Sequence, residues 1–127
     1  MRQQFGRRLP AAAVAGVWVY HGLWCKILDR CADQQRIVED LPGMPRPFAR
    51  TALVALGAAE VALAAWVISG RRPVDAARAE TGLLVAMNGG GLAFSRRHIA
   101  APRALLAENL AFLALVWWTA VSERDAR

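Results

Sequence analysis

The sequence has two cysteines, Cys25 and Cys31, and one lysine, Lys26, in 127 residues. Two cysteines are too few for a disulfide scaffold, and their spacing is neither Cys-x-x-Cys nor a zinc pattern. No nucleophile elbow, phosphate loop, dinucleotide fingerprint or metal-ligand spacing is present, so no metal site and no organic cofactor are expected from motifs. The glycine-rich run Met87-Asn88-Gly89-Gly90-Gly91 lies in an apolar stretch and is unsuited to holding a phosphate. No internal repeat is visible. Charge is also scarce over four long stretches of the chain, and that scarcity organises the remaining analysis.

Hydrophobic residues make up 56% of the chain, a value that a soluble domain could also reach. Their distribution is the informative feature. A bilayer core about 30 Å thick requires roughly 20 apolar residues per helix. Four blocks, at about 9–28, 48–69, 74–95 and 104–121, meet that length. With short connections they fill residues 1–127 as a single domain and leave no soluble one. The expected fold is all-α, an integral membrane four-helix bundle. The basic start followed by an apolar run resembles a signal peptide, but its small residues come first and Trp18, Tyr20 and Trp24 follow. A retained first helix is therefore expected.

Basic residues number 16 against 10 acidic ones, for a net charge of +6. They cluster at block ends, as in Arg7-Arg8, Arg71-Arg72 and Arg96-Arg97. This placement fits lipid headgroups and not nucleic acid. Four spans put both termini on one side. Counting Arg2, Arg7 and Arg127 with that side, the Lys/Arg tally is eight on each face, so the positive-inside rule is tied. The Arg7-Arg8 pair beside the first helix favours cytoplasmic termini, with a bacterial cytoplasmic membrane as the expected location.

Two segments carry alternative readings. Between the first two blocks, Ile37, Val38 and Leu41 recur at helical spacing among charged residues, as in a short amphipathic turn lying on the membrane surface or an ordinary solvated loop. In the third block, three consecutive glycines weaken a helix by about 1 kcal/mol each, which packing or a kink must offset.

Polar side chains within a bilayer cost at least about 2.5 kcal/mol each when charged, and they usually face the bundle interior. The candidates are His21, Glu60, Asn88, Glu108 and Asn109, with Lys26 and Glu80 near the span boundaries. At roughly 1.5 Å per residue, measured from the face with the longer loops, His21 and Asn88 lie about 10 Å deep. Glu108 and Asn109 lie about 7 Å deep, Lys26 about 3 Å and Glu60 about 18 Å. These depths predict one polar pocket opening toward the long-loop side, with Glu60 at its floor. At α-helical spacing Trp18, His21 and Cys25 share a stripe, whereas Lys26 points elsewhere. The structural alternatives are interhelical hydrogen bonds for Asn88 and Asn109, a snorkelling or glutamate-paired Lys26, and a structural His21. Glu60 and Glu108 are either functional carboxylates or partners of Lys26 or His21. Cys25 and Cys31 are a candidate redox pair if their loop faces an oxidising compartment; unpaired thiols are the expected state.

The run Tyr20-His21-Gly22 followed by Lys26 resembles the first-helix signature of the DoxX-like family of small four-helix membrane proteins. Gly57 and Glu60, Asn88, and Pro102 with Asn109 are similar to features of its later helices. Cys25 occupies a position that is often proline in that pattern, so a redox role for Cys25 is not implied by the family. The resemblance implies a compact four-helix membrane fold and a site at His21, Lys26, Glu60, Asn88 and Asn109. The family's name comes from a small membrane subunit of a thiosulfate:quinone oxidoreductase, and some members resemble partners of dehydrogenase-like proteins. Quinone is the ligand implied by that analogy. The expected function is an accessory subunit or lipophilic-ligand protein, with no catalytic activity of its own. The expected partners are the lipid bilayer together with an oxidoreductase subunit or a second copy of the chain. The alternatives are a proton-relaying quinone oxidoreductase component and a small proton-coupled transporter.

Overall fold

The computed structural model describes residues 2–31 and 33–126, with side chains from Arg8 onward. The tally of Arg2, Arg7 and Arg127 as topological charges falls outside those side chains. The described residues are all-helical. Helix α1 (Arg2–Val19) runs directly into a π-helical segment, Tyr20–Ile27, and is followed by a short helix α2 (Gln34–Glu39). The long helices α3 (Arg46–Ser69) and α4 (Pro73–Phe94) come next, then a 3-10 turn (Arg96–His98) and helix α5 (Pro102–Asp125). Each long helix lies within a few residues of an apolar block, except that α1 starts earlier.

The helix ends follow local chemistry. Pro47, Pro73 and Pro102 fall in first turns, where a missing N–H leaves no bond unmade. Helix α3 stops at Gly70, whose φ of 67° is the left-handed conformation common just past a helix end. Packing follows helical spacing. On α3 the buried stripe is Ala49, Leu53, Gly57, Glu60, Ala64 and Val67. Together with Ala11, Val14, Ala15 and Trp18 of α1, Ala77 and Leu84 of α4, and Val116 and Ala120 of α5, its lower half forms the main core.

Helices α3 and α5 are long and apolar enough to cross a membrane. The other two are interrupted by charge: α1 carries Arg2, Arg7 and Arg8 in its first turns, and α4 carries Asp75, Arg78 and Glu80.

Packing decides between the alternatives for two segments. The 34–41 segment is not a free solvated loop. Helix α2 folds back onto the bundle and buries Val38 against Ala49 and Leu53 of α3. The Ser95 hydroxyl donates to the Ile37 carbonyl at 2.5 Å, and the Arg97 guanidinium spans both Asp40 oxygens at 2.7 Å each. Helix α4 continues through the three glycines. A β-carbon at Gly91 would lie 3.5 Å from Ile37, and one at Gly90 would lie 3.8 Å from Leu41. The glycine stretch is therefore the seat on which α2 rests.

Candidate functional site

Six of the polar candidates, His21, Lys26, Glu60, Asn88, Glu108 and Asn109, all line a single cavity of about 720 Å³. Its other walls are mostly apolar and include Leu53, Leu56, Leu84, Met87 and Phe112. Asp33, Gln34, Ile37, Val38, Leu41 and His98 also line it. The volume is in the range of small-molecule sites, roughly 300–1,000 Å³.

The π segment explains how Lys26 reaches the cavity. In an α-helix, residues five apart diverge, and on that basis Lys26 was expected to point away from His21. A π-helix bonds i to i+5, which brings residues 21 and 26 toward one face. Both line the cavity, whereas Cys25 does not. The predicted Trp18–His21–Cys25 stripe therefore holds only for its first two members. The Arg50 guanidinium supports the end of the π segment by donating to the carbonyls of Lys26 at 2.7 Å and Ile27 at 2.6 Å. These are end carbonyls that otherwise need a partner.

Lys26 does not snorkel. Its Nζ lies 2.7 Å from Oε1 of Glu60, with side-chain exposures of 6% and 0%. The contact is a buried ion pair that engages Oε1. Glu60 Oε2 has no hydrogen-bond partner among the described residues. Leaving buried polar atoms unsatisfied costs about 1–3 kcal/mol each, and more for charged groups. Glu60 thus keeps acceptor capacity.

The asparagines do not join helices as expected. The Asn88 Nδ2 donates to the Leu84 carbonyl of its own helix at 3.1 Å. The Asn109 Nδ2 is buried without an acceptor among the described residues. Glu108, one residue earlier on α5, is more exposed than Asn109. Unpaired donor and acceptor atoms therefore sit in one largely apolar chamber, together with a charge-balanced Lys26–Glu60 pair. Such a chamber suits a ligand with an apolar body and a compact polar head.

Four features depart from the expectations or had no counterpart among them. Cys25 and Cys31 are joined in a disulfide, in place of the expected free thiols, because the π segment ends at Ile27 and the chain turns back to bring their Cα atoms to 4.6 Å. The support that Arg50 gives to the end of the π segment has no local sequence signal. The closure by α2 depends on Asp40, which the sequence presents as one charge among several. His98 Nε2 also lies 3.0 Å from that carboxylate. Finally, the Trp18 indole donates to Oε1 of buried Glu80 at 2.7 Å, and this link between α1 and α4 had no sequence signal.

The sequence model of the DoxX-like family matches residues 15–117, a stretch that contains every cavity residue named above. Neither the curated proteins nor the solved structures give a match.

Proposed function

Since this chain belongs to the DoxX-like family, we propose that it is a multi-pass membrane protein whose four long helices all cross the bilayer, and that its cavity holds a lipophilic ligand of the quinone type. It acts as an accessory subunit or ligand carrier in membrane redox processes and needs no chemistry of its own. The observation that carries this reading is the buried, unpartnered Asn109 Nδ2 on the cavity wall. A quinone ring presents carbonyl acceptors to Asn109, His21 and Lys26, and its reduced form presents hydroxyl donors to Glu60. The apolar walls take the ring and the start of its tail. Charges within spans usually face the interior, as the Lys26–Glu60 pair does.

The disulfide supports an orientation. A persisting disulfide implies an oxidising compartment, so the long-loop face is external and the termini are cytoplasmic. The positive-inside count agrees once Lys26 is recognised as buried: the eight charges of the long-loop face, less Lys26, leave seven against eight.

The test is saturation binding of a short-tailed quinone to purified protein, read by quenching of tryptophan fluorescence, since Trp18 lines the cavity. Saturable quenching that weakens about tenfold in Asn109→Leu is expected; tenfold corresponds to about 1.4 kcal/mol. Quenching that is linear and identical in the variant would sink the proposal.

A further inference from the structure

Glu80 is 2% exposed, and nothing in the cavity uses it. It lies seven residues into α4, about 10 Å from that helix's start. No cation stands within ion-pair distance of it among the described residues. Its one identified hydrogen bond comes from the neutral Trp18 indole. An ionised carboxylate buried without a cation is the costly form in a low-dielectric interior. A separate narrow cleft leads to Glu80 from the α3–α4 loop, past Arg71, Trp66, Thr119 and Glu123. Its free volume of about 10 Å³ is near the minimum for one water molecule. Arg71 is exposed at the loop, so the cleft begins at the face opposite α2.

We propose that Glu80 is a proton-binding site exchanging with the face that carries the α3–α4 loop, and that Trp18 stands between this site and the large cavity. Each neighbouring element contributes one part. From α1 comes Trp18, whose N–H can be accepted by either the acid or the carboxylate, so a proton comes and goes without moving the ring. From the α3–α4 loop comes Arg71, the cation at the mouth. From α5 come Thr119 and Glu123, polar groups along the way. The cavity approaches Trp18 from the other side. The bundle thus buries two carboxylates, Glu60 paired with Lys26 and Glu80 with no cation among the described residues, served by openings at opposite ends. The site requires nothing in the cavity, so it stands or falls independently of the lipophilic ligand.

Infrared spectroscopy of ligand-free protein in detergent tests this. A protonated-carboxyl stretch should be present in the wild type, shift in heavy water, disappear as pH is raised, and be lost in full in Glu80→Gln while surviving in Glu60→Gln. Should Glu80→Gln fail to fold, wild-type protein with carbon-13-labelled glutamate carboxyls reads the same event. One carboxyl carbon should then titrate together with the Trp18 indole nitrogen. A band absent at every pH, retained in Glu80→Gln, or indifferent to pH and deuterium would overturn the proposal, as would an indole nitrogen that moves with no carboxyl carbon.

Discussion

Gly22 and Gly57 meet backbone to backbone: a β-carbon built on either would stand 2.6 Å from the other's carbonyl oxygen. This is where the π segment crosses α3, and a second clash there would be with Glu60 Cβ at 2.9 Å or Lys26 Cβ at 3.0 Å. The crossing therefore sets the separation at which Lys26 reaches Glu60. Small residues allow such close approach between helices in lipid. Gly57→Ala should force the helices apart and destabilise the protein by about 1–3 kcal/mol, the usual range for overpacking. Gly16, with nothing within 4 Å of an added β-carbon, is the control. Gly16→Ala should be neutral or stabilising by up to about 1 kcal/mol. Thermal unfolding in detergent compares the two.

The buried ion pair predicts non-additivity. Lys26→Met strands a carboxylate in the interior and should cost about 3–5 kcal/mol, whereas Lys26→Met with Glu60→Gln removes both charges and should recover most of that loss. A double variant no more stable than the single would show that Glu60 does not depend on Lys26 for compensation. Stability of the four proteins of the cycle, measured under one detergent condition, decides.

The closure by α2 should respond to acid only at low pH. Hydrogen bonds from Arg97 are the main cause holding the Asp40 carboxyl below its ordinary value of 3.8, with the charges of Arg97 and His98 adding to it. A carboxylate depressed in the folded state contributes its full stabilisation above the unfolded value. That contribution fades as pH falls through the depressed one. Backbone amide shifts of Val38 and Leu41 should thus reflect a docked α2 from neutral pH down to roughly pH 5 and change only below 3.8. Asp40→Asn should show the loosened state already at neutral pH. A transition well above 3.8 would show that the Asp40 carboxylate is not what holds α2 in place.

How legible this arrangement was depends on the kind of information each residue carries. The positions of the long helices followed from the apolar blocks, because each block is long enough for several helical turns and is bounded by charge or proline. The gathering of His21, Glu60, Asn88 and Asn109 followed from depth, which a uniform rise per residue supplies. The facing of Lys26 did not follow, because the argument assumed 3.6 residues per turn and the backbone at Tyr20–Ile27 is π-helical. The asparagine partners did not follow either, since Asn88 satisfies itself on its own helix. Trp18 with Glu80, and Asp40 with Arg97, join residues 62 and 57 positions apart. Such pairs depend on tertiary packing, and no local pattern marks them.

The disulfide yields a prediction about sidedness. Cys31 is partly exposed and Cys25 is buried at 2%, so after reduction Cys31 should react first with a maleimide. In intact cells or right-side-out vesicles, a membrane-impermeant maleimide should label nothing until an impermeant reductant is added outside, and should then label Cys31. Inverted vesicles treated with the same impermeant reagents should stay unlabelled. A thiol that reacts without reduction would mean the pair is open in the membrane. Labelling confined to inverted vesicles would place the long-loop face in the cytoplasm and reverse the proposed orientation. The π segment should tighten while the pair is closed, because Cys25 precedes Lys26 directly and Arg50 holds the carbonyls of Lys26 and Ile27. Cys31→Ser should therefore leave the bundle folded but loosen Lys26, read as faster exchange of its backbone amide with no change in that of Leu63.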